Sequence, residues 1–194
     1  MGVNKALLVL DGATIIERVI KTIEQILSEI IVVTNDLESF AHLKSGNIPI
    51  KMVKDIHTGV GALGGLHSGI HHAAEDLVFV CACDMPFINP KLVKFIIDAA
   101  KGCDAAVPVI GNNYEPLMAA YSKGCIEGIE KQIGLGEKQI KSFFGDVRLR
   151  EIAEADLRKI DRDLLSLFNI NNPEDLSAAR RILAERAPWE KTPP

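Results

Sequence analysis

Asp84 closes the most apolar stretch of the chain, Leu77 to Cys83 (LVFVCAC), and Met85-Pro86-Phe87 follow at once. A carboxylate is thus presented where proline forces the chain to turn. Such a group suits Mg²⁺ held jointly with waters and substrate phosphate oxygens; the same position equally suits an aspartate that only caps a turn. Asn35 ends a second apolar run, Glu29 to Asn35 (EIIVVTN), and Asp55 ends a third, Ile48 to Asp55. In open parallel sheets ligands bind beyond the carboxyl ends of strands, which makes these three the first candidates.

The loop Gly59 to Gly65 (GVGALGG) holds a literal G-x-G-x-x-G at Gly59, Gly61 and Gly64. A dinucleotide fingerprint needs its tight turn at the strand end. Here Ile56, His57 and Thr58 intervene, and Pro86 turns the chain away after Asp84, so that reading is rejected. Small residues opening a helix still let a phosphate or a base edge approach backbone N–H groups. His67 and His71 stand four apart, a metal-ligand spacing, with His57 and His72 nearby. No glutamate sits in H-E-x-x-H order, and a packed or solvated helix face is expected instead. Cys81 and Cys83 share one strand face and are expected as small buried hydrophobes. With Cys103 and Cys125 they show no zinc-site spacing. Met1, Met52, Met85 and Met118 read as core fillers.

These residues need elements to hold them. Apolar runs of strand length alternate with helical-period segments, the pattern of a parallel sheet covered on both faces. Lys5 to Leu10 is apolar, Asp11-Gly12 makes a turn, and Thr14 caps an amphipathic helix over Ile15 to Leu27. Strands follow at Glu29 to Asn35, Ile48 to Asp55 and, centrally, Leu77 to Cys83. Helices are expected over Leu37 to Leu43, Leu66 to Ala74 and Pro90 to Ala100, the last opened by proline at its first position. Strands over Asp104 to Ile110 and Tyr114 to Tyr121 flank the turn Gly111-Asn112-Asn113, which makes the sheet mixed. Helices over Ile126 to Ile133 and Glu137 to Phe144, a strand over Val147 to Ile152 and a helix from Glu174 to Arg186 complete the pattern. The proline-ended tail, 188–194, is expected to be frayed.

Composition bounds the rest. The chain has 194 residues, 47% hydrophobic and 25% charged, with a formal charge of −4. One domain of this length buries about 70% of the surface an unfolded chain exposes, so no disulfide or structural metal is required. An acidic chain with 22 Lys+Arg and no basic run lacks the footprint of a nucleic-acid binder. The longest apolar run is far short of a membrane span, and the N-terminus shows no export signal; the expected location is the cytoplasm.

Taken in order, six segments resemble one family. They are Gly2-Val3-Asn4-Lys5-Ala6-Leu7-Leu8; Asp55 ahead of Gly59-x-Gly61-x-Leu63-x-Gly65-Leu66; Cys83-Asp84-Met85-Pro86-Phe87; Glu115-Pro116-Leu117; Gly136-Glu137-Lys138; and Phe168-Asn169-Ile170-Asn171-Asn172-Pro173-Glu174-Asp175-Leu176. Together they are similar to the molybdenum cofactor guanylyltransferases of the MobA-like nucleotidyltransferase group. The resemblance implies a Rossmann-like three-layer α/β/α sandwich with a mostly parallel mixed sheet, of the nucleotide-diphospho-sugar transferase type, as a single domain over 1–187. It implies transfer of GMP from GTP to the phosphate of molybdenum-bearing molybdopterin, with pyrophosphate released and Mg²⁺ as cofactor. Asp84 matches the family's magnesium-binding aspartate and Lys5 its nucleotide-reaching lysine, the pair that would be catalytic. Asp55 matches a second GTP-contacting aspartate, and Asn35 lies in the strand-end loop bordering the nucleotide. Asn171 matches an asparagine with either a pterin-side or a turn role. The acceptor is the nucleophile, so no covalent enzyme intermediate is needed. Molybdoenzymes or cofactor-delivery proteins are the implied partners, and a cytidylyltransferase of the same group is the alternative.

The family pattern opens with an apolar strand and a loop resembling L-A-G-G-x-S-x-R-M-G, of which this sequence carries Met1-Gly2. Two expectations follow. Either the reading frame continues upstream of Met1 for about fifteen residues encoding a strand of ordinary length, Gly-Gly, Ser or Thr, and Arg, or the chain is a remnant that binds molybdopterin or a partner without catalysis.

Overall fold

A computed structural model describes residues 4–190, with side chains through Glu185. A 3₁₀ turn over Lys5–Leu7 leads into a small hairpin, β1 (Val9–Leu10) and β2 (Ala13–Thr14). At its tip Asp11 (φ 51°) and Gly12 (φ 80°) both take the left-handed conformation, which a two-residue I′ turn requires. Thr14 then opens α1 (Ile15–Ile23) with a full capping box. Its hydroxyl accepts from the Glu17 N–H, and the Glu17 carboxylate accepts from the Thr14 N–H and hydroxyl. The helix ends four residues short of Leu27.

Next come β3 (Ile30–Val33), α2 (Leu37–Phe40) and β4 (Ile50–Val53), with β3 and β4 paired in parallel. α3 (Ala62–His72) starts inside the glycine loop, four residues earlier than periodicity suggests. Gly64 makes that possible. A Cβ on it would lie 2.8 Å from the His57 carbonyl oxygen, so the loop folds onto the first helical turn only with glycine there. β5 (Leu77–Cys81) precedes α4 (Pro90–Ala99), whose Asn89 cap accepts from the Lys91 N–H at 2.9 Å.

β6 (Ala105–Ile110) turns back through β7 (Asn113–Tyr114) to β8 (Met118–Ser122). The single strand expected over Tyr114 to Tyr121 is therefore two, broken where Pro116 has no N–H to donate. α5 (Ile126–Gly134) follows, and the helix expected over Glu137 to Phe144 is a 3₁₀ segment at Ile140–Asp146. β9 (Leu149–Ala153) pairs in parallel with β6. A short α6 (Glu154–Arg158), which periodicity did not signal, precedes α7 (Pro173–Glu190). α7 runs past Arg186 into the tail expected to be frayed; residues 191–194 lie outside those described, as do Met1 and Gly2 of the family's loop pattern.

The sheet is mixed, in the order β5-β8-β6 with β7 and β9 both on β6, and β5 and β8 are antiparallel. Side chains of β8 alternate between two cores, as a period of two dictates. Met118 and Ala120 join α1 and α4 on one face, while Ala119 and Tyr121 join α3 and α5 on the other. This is the three-layer arrangement the sequence suggests. A third cluster, Leu10, Ile15, Ile170 and Ala179, packs the hairpin against α7. Met85 and Met118 are buried fillers, as expected. β3-β4 is a separate sheet, and between β3 and β5 lies an apolar slot of about 540 Å³.

Candidate active site

Two polar clusters form beyond the carboxyl ends of the strands. In the first, the Lys5 ammonium donates to Asn171 Oδ1 at 2.9 Å, joining residues 166 positions apart. The Asp84 carbonyl accepts from the Ile170 N–H at 3.0 Å, which docks the segment before α7 onto the turn after β5. Phe87 and Phe168, ring centroids 5.7 Å apart, brace the same junction. Asn171 itself is exposed, and its N–H and that of Asn172 donate to the Asp175 carboxylate in an α7 capping arrangement. Asn171 thus has a turn role by its backbone, while its side-chain oxygen is taken by Lys5.

The Asp84 carboxyl is half-buried and, among the described residues, accepts no hydrogen bond from another side chain. Burial raises its pKa above the ordinary carboxylate value, and its own backbone N–H and then the nearby Lys5 charge offset only part of that. A half-buried carboxylate that no other side chain engages keeps acceptor capacity for a cation. Among the described residues no three His, Cys, Asp or Glu groups come together as a metal cage. A hard oxygen donor standing alone fits Mg²⁺, which takes one or two carboxylates and fills its octahedron with water and phosphate oxygens.

In the second cluster the Asn35 amide donates to the Asp55 carboxylate at 2.9 Å, and the Asp55 N–H donates back to Asn35 Oδ1 at 3.3 Å. The pair locks the ends of β3 and β4 together. Asp55 lies against the start of α3, where a Cβ on Gly65 would come within 3.8 Å of its Oδ1. Gly65 and Asp84 both line the slot.

Glu115 carried no role in the sequence reading; its N–H donates to the Pro108 carbonyl of β6 at 2.9 Å. The Ala82 N–H donates to the Leu117 carbonyl at 3.0 Å, extending the β5-β8 ladder toward Asp84 and bringing Glu115 to that end of the sheet. Burial raises its pKa. The signal was its place in the Glu115-Pro116-Leu117 motif; nothing in its own type or spacing marked it.

The histidines do something else. His67 is buried among His57 and His71, ring centroids 4.7 and 5.9 Å away, with Nε2 3.2 Å from Glu130 Oε1. Burial lowers its pKa, and the Glu130 carboxylate offsets part of that. Cys83 corrects an expectation: it is exposed, because the strand ends at Cys81 and the chain is already turning. Cys81 is half-buried, its thiol pushed up to about 12 by desolvation.

Known proteins share this architecture. Residues 1–152 match the MobA-like NTP transferase domain. A probable molybdenum cofactor guanylyltransferase of Pelotomaculum thermopropionicum is 35% identical over 187 residues, covering 96% of this chain and 88% of that protein. A molybdenum cofactor guanylyltransferase of Desulfosudis oleivorans is 35% identical over 183 residues, covering 94% and 88%. The crystal structure of molybdopterin-guanine dinucleotide biosynthesis protein A from Archaeoglobus fulgidus superposes with a TM-score of 0.81 at 27% identity, covering 95% and 92%. With its three layers, its polar residues gathered at the strand ends and these relatives spanning nearly its whole length, the chain belongs to the MobA-like NTP transferase family.

Proposed function

We propose that the chain transfers GMP from GTP to the phosphate of molybdenum-bearing molybdopterin, releasing pyrophosphate, within one domain over 1–187. The observation that carries this reading is the meeting of Lys5, Asp84 and Asn171 at one strand end, where the half-buried Asp84 carboxylate is engaged by no other side chain. The similarity to proteins named molybdenum cofactor guanylyltransferase selects the substrates.

An oxygen of the acceptor phosphate attacks the α-phosphorus of GTP in line, and the bond to the bridging oxygen breaks, so that pyrophosphate leaves with the electron pair. Lys5 supplies a fixed cation to the phosphates and is itself oriented by Asn171. Asp84 would hold Mg²⁺, which when bound neutralises charge on the phosphates. The Asn35–Asp55 pair offers a rigid acceptor and donor set to the nucleoside, and Asn171, its oxygen held by Lys5, keeps its side-chain N–H donors for the pterin side. The acceptor carries its own nucleophilic oxygen, and the protein's work is positioning and electrostatics.

A competition assay with GTP, CTP and ATP, Mg²⁺ and molybdopterin tests this. The guanine dinucleotide product is expected to dominate. As much cytidine as guanosine product would reassign the chain to a cytidylyltransferase, and Mg²⁺-dependent GTP binding without any product would reduce it to a binding protein.

A further inference from the structure

Two buried polar residues, Asp161 and Ser166, have no part in the chemistry derived so far. Ser166 is wholly buried and Asp161 nearly so. A carboxylate out of water needs donors. This one has three: Oδ2 accepts from the Ser166 N–H at 2.8 Å and the Ser166 hydroxyl at 2.6 Å, and Oδ1 from the Leu165 N–H at 3.2 Å. The bonds close a tight loop in which Leu164 takes φ 52° and ψ 36°, a left-handed conformation that crowding at Cβ disfavours. Asp161 holds the loop in that shape by engaging both N–H groups that follow. An apolar residue in its place would fill the volume and leave those donors unpaired.

The other side of the loop grips the turn after β5. The Ser166 hydroxyl, its proton committed to Asp161, accepts from the Asn89 N–H at 3.0 Å, and the Asn89 side-chain amide donates to the Ile160 carbonyl at 3.4 Å. Further along the same segment the Ile170 N–H donates to the Asp84 carbonyl at 3.0 Å. The turn from Asp84 to Asn89 is therefore bonded at both ends to one stretch of chain, and Phe87 meets Phe168 between the two points. Met85 and Ile88 bury themselves in the core from this turn. Apolar burial sets depth but has no direction. Hydrogen bonds have direction, and these two fix how the turn is rotated and with it where the Asp84 side chain points. Asn171, the neighbour of Ile170, holds Lys5 from the same stretch.

We propose that Asp161 is a positioning residue for Asp84. Its carboxylate fixes Ser166, Ser166 fixes the Asn89 end of the turn, and the Asp84 carboxylate is thereby held in the orientation that serves a divalent cation. The inference rests on the role given to Asp84 under the proposed function and extends it to a buried pair that acts through the backbone.

The test is Ser166→Ala in the full chain, which removes the acceptor for the Asn89 N–H and one donor to Asp161. Two readouts serve, and neither needs turnover. Exchange of the Asn89 and Ile170 amides should accelerate together by roughly fivefold or more, within the range that one unmet buried hydrogen bond costs, with β6 and β8 unchanged. The gain in GTP affinity on adding Mg²⁺, measured by calorimetry, should fall roughly tenfold, the low end of what removing a group that orients a metal ligand costs. Asp161→Asn, which keeps the side-chain shape and one of the two oxygens, should shift both readouts the same way by less, and it carries the test if Ser166→Ala does not fold. Ile129→Val loosens the core on the opposite face of the sheet; it should lower the melting temperature and move neither readout. Faster exchange at Asn89 with Ile170 unaffected, an undiminished Mg²⁺ gain in both loop variants, or an equal loss in Ile129→Val would each overturn the proposal. A native gain that Asp84→Asn erases and the loop variants preserve removes this inference and leaves the guanylyltransferase reading standing. A native chain with no Mg²⁺ gain removes the role of Asp84 and this proposal with it.

Discussion

At the scale of single residues, Asp84 and Lys5 pull stability and function apart. Ionising the Asp84 carboxyl carries a cost, because burial has raised its pKa. That cost is present above the raised pKa and vanishes as pH falls through it. Asp84→Asn should accordingly melt slightly higher than the native chain at pH 7, with the gap closing on acidification, while turnover falls roughly 100-fold or more, as when a group acting on transition-state charge is removed. Thermal melts from pH 7 to pH 4 beside a GTP turnover assay measure both; normal turnover at limiting Mg²⁺ would reduce Asp84 to a turn residue. Lys5→Ala should act on binding. Losing a charge-assisted contact to phosphate costs ~1.5–3 kcal/mol, a tenfold to hundredfold rise in the GTP dissociation constant by titration calorimetry. An unchanged constant would place Lys5 outside the nucleotide site.

At the scale of elements, the glycine loop and α3 act as one unit. The G-x-G-x-x-G spacing has local structural causes at two of its positions. Gly61 caps α3 with φ 64° and ψ −142°, a conformation open to glycine, and Gly64 lets the His57 carbonyl approach. Gly64→Ala should therefore destabilise the chain by about 1–3 kcal/mol, the cost of overpacking against backbone that has nowhere to move. Denaturant melts would read it; a cost below about 0.5 kcal/mol, ordinary for a surface change, would mean that the loop can lift away. The start of α3 was misread from periodicity because Gly64 and Gly65 have poor intrinsic helix propensity, and tertiary packing overrode it.

At the scale of the whole molecule, the two sheets differ in support. β8 is buried along its length, and Ala105, Ala106 and Val107 of β6 are fully buried. β3-β4 is a two-stranded sheet with one face on α3 and an open edge on the slot, and two strands alone are marginal. Amides of β3 and β4 should thus exchange well before those of β6 and β8, through local rather than global opening. Equal protection in the two sheets under native-state exchange would contradict this. Among the described residues no helix is long and apolar enough to cross a membrane.

By itself the sequence determined the element types and the residues able to do chemistry. Apolar alternation, the Thr14 capping box, Pro90 at a helix start and the Asp11-Gly12 turn are local patterns, and local dihedral preference with one-sided burial is enough to read them. It also set Asp84, Asp55 and Asn35 at strand ends. Only the tertiary structure decided which of them meet. Lys5 reaches Asn171 because Leu10, Ile15, Ile170 and Ala179 pack the hairpin against α7, and Asn35 joins Asp55 because β3 and β4 pair in register. The apolar run Leu77 to Cys83 reads as a central strand, but whether both its edges are paired depends on neighbours distant in the chain, and here one edge faces a slot. Pairing and packing across long sequence separations are collective outcomes, absent from any local pattern of residues.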